Sequence, residues 1–204
     1  GKTFKSLAFK ARHVDDHALW VNEQHTNHIR IGGDGGIYES FDNGEHWNHL
    51  RNLPITQFYR IAVDNDLPFY NVYGGTQDNN TLGTAIRNTS MEGITNSDWW
   101  VTLGGDGFEP AIDPTNPNIV YSQYQYGGLA RIDRATREKV YITPQPAAGE
   151  NDFRWNWNSP LLISPHNNQT IFYGAEKLFR SDDRGESWQV ISNDLSQNFS
   201  SKIK

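Results

Sequence analysis

The chain has 204 residues, which is enough for one or two domains with a hydrophobic core. Its formal net charge of −6 argues against a nucleic-acid partner, and the absence of cysteine excludes disulfide bonds and thiolate metal sites. No run of about 18 consecutive apolar residues occurs, so the sequence predicts no membrane-spanning helix.

The first predicted element is an outer strand at residues 1–14. It is inferred from an eight-residue segment that occurs twice later in the chain, because the opening residues match the end of that segment. The copies are SFDNGEHW at Ser40–Trp47 and SDDRGESW at Ser181–Trp188, and they share the frame Ser-x-Asp-x-Gly-x-x-Trp. We call these two segments the boxes. The opening GKTF at Gly1–Phe4 matches the last four positions of a box, with Phe in place of Trp. Residues 1–14 are therefore expected to be the outer strand of a preceding unit, and the chain a fragment of a larger protein.

The rest of the chain reads as four similar units, expected at residues 15–56, 57–105, 106–153 and 154–204. Each unit contains about four short apolar strands separated by turns rich in Gly, Asn and Pro. One position, the residue that closes the first strand, recurs at steps of 42, 49 and 51 residues, at Asn22, Asp64, Asp113 and Ser164.

Four-stranded units at this spacing predict a β-propeller, an all-β fold of four-stranded antiparallel blades. About four blades lie in this chain, and since a propeller closes with about 4–8 blades, they are expected to be part of a larger ring. Alternation at Ile29-Arg30-Ile31 and at Ile119-Val120-Tyr121 predicts half-buried strands. No window predicts an amphipathic helix.

The boxes are expected at the hairpin between the third and fourth strands of a blade, with a structural role. The Asp accepts backbone N–H groups across the turn, the Ser adds a second side-chain bond, the Gly takes a positive φ, and the Trp buries its ring as the outer strand begins. The residues concerned are Ser40, Asp42, Gly44 and Trp47 in the first box, and Ser181, Asp183, Gly185 and Trp188 in the second.

Binding or catalytic residues are expected on the face of the propeller opposite the boxes. That face carries the loops before the innermost strands and the loops between the second and third strands. Three Asp residues lie there in Gly-rich or amide-rich loops, namely Asp34, Asp106 and Asp78. They are the candidate catalytic residues, because a glycosidase needs two carboxyl groups about 5–5.5 Å apart for retention or about 6.5–9.5 Å apart for inversion. The alternative is that Asp-Gly simply makes tight turns.

Further residues on these loops are candidates for ligand binding, since aromatic rings stack on sugars while carboxylates and amides bond hydroxyl groups. They are Asp16, His17, Gln57, Tyr59, Gln77, Glu109, Arg154, Trp155 and Trp157. Trp155 and Trp157 alternate on an extended segment, so one is expected to face a ligand and the other to pack between blades. No metal site and no cofactor are predicted.

The boxes and their surroundings resemble a known family. They are similar to the Asp-box, or bacterial neuraminidase repeat, of sialidases, xyloglucanase-type glycoside hydrolases and sortilin-type receptors. DDHALWVN, GGDGGIYESFDNGEHW, NVYGGTQDN and GGDGFEPAIDPTNPNIVYS resemble large bacterial proteins labelled sortilin-like or glycosyl hydrolase. The resemblance implies a β-propeller in a secreted or periplasmic bacterial protein. Two departures are the lack of a pattern matching the sialidase arginine triad and the lack of the Cys-rich segment that follows the sortilin-type propeller.

Three functions remain open from the sequence. The first is a propeller that binds carbohydrate or extended peptide without cleaving it. The second is a glycoside hydrolase that uses paired Asp residues on the loop face. The third is a structural or accessory subunit. The expected partners are the remaining blades, from the same or another chain, and a glycan or peptide ligand.

Overall fold

The computed structural model describes residues 2–4, 6–7, 12–53 and 55–197 of the chain. Sixteen strands in these residues form four four-stranded antiparallel sheets, and the strands of each sheet neighbour one another in chain order. Helical structure in the same residues is confined to one 3-10 turn, Asn96–Asp98, and includes no helix long and apolar enough to cross a membrane. The all-β fold of four-stranded propeller blades is confirmed.

The chain divides into two compact units, and the first of them, Gly1–Thr56, holds one sheet. Its strands are β1 (Asp16–Val21), β2 (Ile29–Gly33), β3 (Gly36–Ser40) and β4 (Asn48–His49). Ile29 and Ile31 are buried, while Arg30 between them is exposed and pairs across the sheet with Glu39 at 2.7 Å. Six of residues 1–14, the span of the predicted outer strand, lie outside the described residues, and this strand stays a prediction.

The second unit, Gln57–Lys204, holds three sheets. The first of these has strands β5 (Arg60–Val63), β6 (Asn71–Gly75), β7 (Thr81–Ala85) and β8 (Trp100–Leu103). The next has β9 (Ala111–Ile112), β10 (Ile119–Tyr124), β11 (Gly128–Asp133) and β12 (Lys139–Tyr141). The last has β13 (Leu161–Ile163), β14 (Ile171–Gly174), β15 (Leu178–Ser181) and β16 (Gln189–Val190). The residue boundaries expected for the blades stay predictions.

Two apolar cores hold the three sheets of the second unit together. One lies between the β5–β8 and β9–β12 sheets and contains Tyr73, Leu103, Val120, Ala130 and Ile132. The other lies between the β9–β12 and β13–β16 sheets and contains Tyr121, Leu129, Ile142, Leu161, Ile171 and Tyr173. Strand β9 contacts both β5 and β13, so the first strands of the three sheets lie side by side. The β9–β12 sheet is therefore covered on both faces.

This arrangement corrects the interpretation of Ile119-Val120-Tyr121 as part of a half-buried strand. Val120 and Tyr121 are both fully buried, although they point to opposite faces of the sheet. Val120 packs in the first core and Tyr121 in the second. The reason is tertiary, because a sheet sandwiched between two others needs apolar residues on both faces.

The residue that closes the first strand has the same local role in all four sheets. The backbone N–H groups of Asn22, Asp64, Asp113 and Ser164 each donate to a carbonyl at the start of the second strand, at 2.8–3.2 Å. Their side-chain oxygens also accept backbone N–H groups of the turn that follows. The recurrence seen in the sequence is therefore a recurring turn.

In the second unit, two of these Asp residues are also held by arginines from the next sheet along the chain. Arg134 lies 2.7 Å from Asp66 and 3.6 Å from Asp64, whose side chain is fully buried. Arg184 lies 3.1 Å from Asp113, which is also fully buried. Burial alone would raise the pKa of Asp113, but hydrogen bonds from Asn168, Thr115 and Arg184 outweigh this effect and lower it. Each pair links two neighbouring sheets.

The first box lies between β3 and β4, and its side chains bond within the turn. Ser40 Oγ donates to Asp42 Oδ1 and accepts the N–H of Gly44, both at 2.8 Å. Asp42 Oδ1 accepts the backbone N–H of His46 at 2.9 Å. This bond and the contact with the His46 ring lower the pKa of Asp42. Gly44 has a φ of 84°, and Trp47 stands immediately before β4.

The second box, between β15 and β16, repeats these contacts. Ser181 Oγ donates to Asp183 Oδ1 and accepts the N–H of Gly185, both at 2.7 Å, and Gly185 has a φ of 93°. Asp183 accepts the backbone N–H of Ser187 at 2.9 Å. Trp188 reaches beyond its own hairpin, because its Nε1–H donates to the carbonyl of Ile142 in the preceding sheet at 2.6 Å. In this box the Trp joins two sheets.

Candidate functional site

The predicted site residues of the first unit meet at the start of β1 and the turn between β2 and β3. His17 Nε2 lies 2.6 Å from Asp34 Oδ1. Asp16 forms an ion pair with Arg12. The His17 side chain is 65% exposed and that of Asp34 is 26% exposed, so this pair is accessible to solvent.

In the second unit, Asp78 and Asp106 come together although 28 residues separate them. The backbone N–H of Asp78, in the β6–β7 turn, donates to Asp106 Oδ1 at 3.0 Å. Asp106 is only 4% exposed, and its own N–H donates to Gln125 Oε1 at 2.9 Å. Its Oδ2 atom is buried and has no hydrogen-bond partner among the described residues. Asp106 is therefore a buried carboxyl group linking three loops.

Glycine permits this close approach of loops. A β-carbon on Gly107 would lie 2.5 Å from the carbonyl oxygen of Asn80, and one on Gly75 would lie 2.0 Å from that of Phe108. Gly107 N–H donates to the Thr76 carbonyl at 2.8 Å. The β6–β7 turn and the β8–β9 loop are thus in direct backbone contact at the predicted Asp residues.

Beside these loops, Tyr59 and Gln77 bond to each other through the tyrosine hydroxyl and the amide oxygen. The Tyr59 ring stacks on Phe108 with ring centroids 5.5 Å apart. Gln57, in the segment before β5, and Glu109, in the β8–β9 loop, are both exposed. The Glu109 carbonyl accepts a hydrogen bond from Gln123 at 3.2 Å.

The segment before β13 contains three predicted ligand residues with different surroundings. The Arg154 side chain is held by intramolecular hydrogen bonds, because its guanidinium donates to Asp194 at 2.7 Å and to Ser196 at 2.9 Å. Hydrogen bonds from Ser196 and Arg154 lower the pKa of Asp194 to about 2. Trp155 stacks on Phe179 with centroids 5.7 Å apart. Trp157 is 39% exposed.

Next to Asp106 and Trp155 lies an open groove of about 880 Å³, which falls within the range of ligand sites in proteins. It is bounded by the β8–β9 loop, the β10–β11 hairpin and the segment after β12. The residues lining it are Gly104, Gly105, Tyr124, Gln125, Tyr126, Gly128, Tyr141, Thr143, Pro144, Gln145, Pro146, Asp152, Phe153 and Trp155. In the second unit this groove lies at the opposite ends of the strands from the box, as the order of turns in an antiparallel sheet requires.

The sequence predicted Trp155 as a ligand-binding residue, but it did not predict most of the other residues that line the groove. The aromatic residues Tyr124 and Tyr126 flank Gln125 in YQYGG, which by its pattern is only a strand and its turn. Tyr141 and the TPQP segment that follows it match no motif used to predict the site. An accumulation of Tyr and Pro around a Gly-Gly turn is the signal that points to them.

Glycines of the β10–β11 hairpin form the support on which two aromatic rings rest. A β-carbon on Gly127 would lie 2.1 Å from the Trp155 ring, and one on Gly128 would lie 2.2 Å from the Tyr124 ring. Both rings therefore lie directly on the peptide backbone. The hairpin holds the aromatic faces in place before any ligand arrives.

No family model matches the chain, and no curated protein matches it either. Among solved structures it is similar to a GH74 xyloglucanase from Xanthomonas campestris, at 18% identity and a TM-score of 0.46 over 88% of this chain and 30% of the other. It is also similar to YCF48 bound to D1 peptide, at 13% identity and a TM-score of 0.45 over 97% of this chain and 60% of the other.

A third similar structure is an auxiliary nutrient binding protein from Bacteroides thetaiotaomicron, at 12% identity and a TM-score of 0.48. The match covers 90% of this chain and 43% of that one. The chain thus spans less than two thirds of the length of all three proteins. At these identities the likeness concerns the fold alone.

Proposed function

We propose that the chain is part of an Asp-box β-propeller protein that binds carbohydrate or extended peptide on the loop face opposite the boxes. The observation that carries this proposal is the open groove beside Asp106, lined by aromatic rings that rest on the Gly127–Gly128 backbone. Rings held in this way lose little conformational freedom on binding, which favours affinity. We further propose that the whole protein is bacterial and secreted or periplasmic, as the Asp-box resemblance implies.

Binding is tested by titrating the chain with a panel of polysaccharides and with arrayed peptides. Trp157→Ala removes an exposed ring next to the groove, where Trp157 meets Tyr126 edge to face at 5.1 Å. We expect a loss of affinity of about tenfold, as is common for an aromatic binding residue. Phe69→Ala, which removes another ring of 40% exposure away from the groove, is the control. Wild-type failure to bind any member of either panel contradicts the proposal.

A second candidate, a glycoside hydrolase, is favoured by the environment of Asp106. Its carboxyl group is 4% exposed, and one carboxyl oxygen lacks a hydrogen-bond partner among the described residues, which is a feature of buried polar groups with a catalytic role. Asp78 is proposed as its partner in catalysis, and the catalytic role expected of Asp34 in the first unit stays a prediction. Release of reducing ends by the wild type that disappears in Asp106→Asn, but persists in the exposed control Glu92→Gln, would support this activity.

A third candidate, a structural or accessory subunit, is favoured by exposed apolar residues on the strands of the second unit. Ile61 is 65% exposed, Val63 56% and Leu162 58%. Such residues suit packing against further blades of the same or another chain. Sedimentation at increasing concentration tests this role, and a monodisperse monomer at all concentrations would contradict it.

A further inference from the structure

The β9–β12 sheet contacts the β13–β16 sheet through apolar side chains together with an arginine. Arg131, on β11, donates to the backbone carbonyl of Arg184 at 2.9 Å and to the Glu186 carboxylate at 2.6 Å. Both acceptors belong to the second box, so this arginine binds a box across the boundary between two sheets. The apolar residues, which belong to the core between these sheets or pack against it, are Ala111, Tyr121, Leu129 and Ile142.

The β13–β16 sheet repeats this arrangement on the face that points away from that core. Arg131 lies across the strand pair from Tyr121, and Arg180 lies in the same way across from Phe172. Tyr121 is covered by the following sheet, whereas the Arg180 side chain is 45% exposed. Arg180 pairs with Asp182 of its own sheet, and an exposed pair of this kind contributes little and is readily exchanged for another.

The apolar positions of the two faces also correspond. The N–H of Ile142 donates to the Leu129 carbonyl at 2.9 Å. The N–H of Ile191 donates to the Leu178 carbonyl at the same distance of 2.9 Å. Leu162 is 58% exposed and Ile191 is 41% exposed. We call this surface of the last sheet the open face, and its residues are Leu162, Phe172, Leu178, Arg180 and Ile191.

The position of Arg180 indicates which kind of sheet fits the open face. In the β1–β4 and β5–β8 sheets the corresponding residues are Glu39 and Gly83, and in both cases the next sheet along the chain has no box. In the β9–β12 sheet the corresponding residue is Arg131, and the next sheet has a box. Arginine at this position therefore accompanies a box in the following sheet.

A box in turn needs a carbonyl from a neighbouring sheet. Trp188 Nε1 donates to the Ile142 carbonyl, and the Ile142 side chain lies 2.5 Å from where a β-carbon on Gly185 would stand. In the first box, Trp47 Nε1 is buried and has no hydrogen-bond partner among the described residues, which leaves a donor unsatisfied. The Ile191 carbonyl, as the counterpart of that of Ile142, can accept the N–H of a box tryptophan.

From these correspondences we infer that the open face binds a further four-stranded sheet that carries a box with an acidic residue at its sixth position. Both boxes of this chain have glutamate there, Glu45 and Glu186. Arg180 exchanges Asp182 for the acidic side chain and a backbone carbonyl of the box, while Ile191 covers the box glycine. The inference rests on the proposal that the chain is part of an Asp-box propeller, and it does not depend on ligand binding in the groove.

Urea unfolding of an extended chain tests the inference. The full chain is followed directly by a second copy of residues 154–204, a repeat that contains a box. The control chain carries a second copy of residues 57–105 instead, which contains no box. We expect Arg180→Met in the first copy to lower the ratio of folded to unfolded protein about tenfold more in the box-bearing extended chain than in the 204-residue chain or the control chain. Glu186→Gln in the appended copy should lower this ratio too, and it should add little to Arg180→Met.

Arg131→Met in the 204-residue chain sets the size of the expected effect, because it breaks the corresponding contacts between two sheets. Hydrogen exchange shows whether the appended sheet is folded, and protection of its amides is expected only next to an intact open face. An appended box-bearing sheet that stays unprotected, or an equal effect of Arg180→Met in all three chains, overturns the inference. Glycan and peptide binding in the groove is measured separately, so either result leaves the proposed binding function standing.

Discussion

In each box one Asp carboxylate, that of Asp42 or Asp183, accepts hydrogen bonds that are favoured when the group is ionised. In the second box, hydrogen bonds from the Ser187 hydroxyl, the Ser187 N–H and Ser181 lower the pKa of Asp183 to about 2. The unfolded chain lacks these bonds, so its Asp side chains titrate near the ordinary value of about 3.9. The Asp183 carboxyl group is therefore more acidic in the folded protein than in the unfolded chain.

This difference predicts how stability responds to acid. Because the folded pKa of Asp183 is depressed, its contribution is fully present above about pH 4 and is lost as the pH falls toward about 2. Asp183→Asn cannot titrate, so its urea midpoint should fall less steeply than that of the wild type across this interval. Identical slopes for the two proteins would contradict the assignment.

At the scale of the element, the β10–β11 hairpin depends on Gly127 for two separate reasons. Its φ of 79° is unfavourable for other residues, and a β-carbon would enter the Trp155 ring. Gly149 has a similar φ of 88°, but a β-carbon placed there would meet no atom within 4 Å, so Gly149→Ala tests the backbone cost alone. We expect Gly149→Ala to cost about 1 kcal/mol and Gly127→Ala about 2 kcal/mol more.

Tryptophan fluorescence distinguishes the two variants. Gly127→Ala should shift the emission because the Trp155 ring must leave its position on the hairpin, whereas Gly149→Ala should leave the spectrum unchanged. Equal free energies of unfolding and equal spectra would show that the hairpin does not support the Trp155 ring.

An ion pair that joins two sheets through a buried carboxylate should contribute more to the free energy of unfolding than an exposed ion pair on the surface. Arg134→Met leaves the fully buried Asp64 carboxylate without its cation, and we expect a loss of about 3 kcal/mol in the free energy of unfolding. Arg180→Met breaks an exposed pair with Asp182 at 2.9 Å and should cost less than about 1 kcal/mol. Denaturant titration measures both, and equal losses would contradict the role of Arg134 between the sheets.

At the scale of the whole molecule, the two inter-sheet cores lie entirely within the second unit. A chain beginning at Gln57 should therefore keep its β-sheet circular dichroism and unfold cooperatively. A chain beginning at Asp106 loses Tyr73 and Leu103, which cover Val120, and should be much less stable or aggregate. Loss of structure in the longer of the two chains would show that the cores are insufficient.

The propeller fold was predictable because its determinants are local and repeated. Each blade is a meander of neighbouring strands, and the turns depend on residues such as Asp64, Asp113 and Gly185 whose bonds span a few positions. Which strands are buried on both faces was not predictable from alternation. Val120 and Tyr121 are both buried because other sheets cover them, a fact that depends on packing and not on local pattern.

The candidate site likewise contains residues that the sequence predicted and residues that only the tertiary structure brought together. The sequence alone identified Asp34, Asp78 and Asp106 as candidates, together with the alternating pair Trp155 and Trp157, since these depend on residue type and on the order of loops. Only the tertiary structure brought Asp106 to Gln125, laid Trp155 on Gly127, and assembled Tyr124, Tyr141 and Asp152 around one groove. These residues come from loops of successive strands and sheets, and it is the packing of sheet on sheet that determines which side chains face each other across a groove.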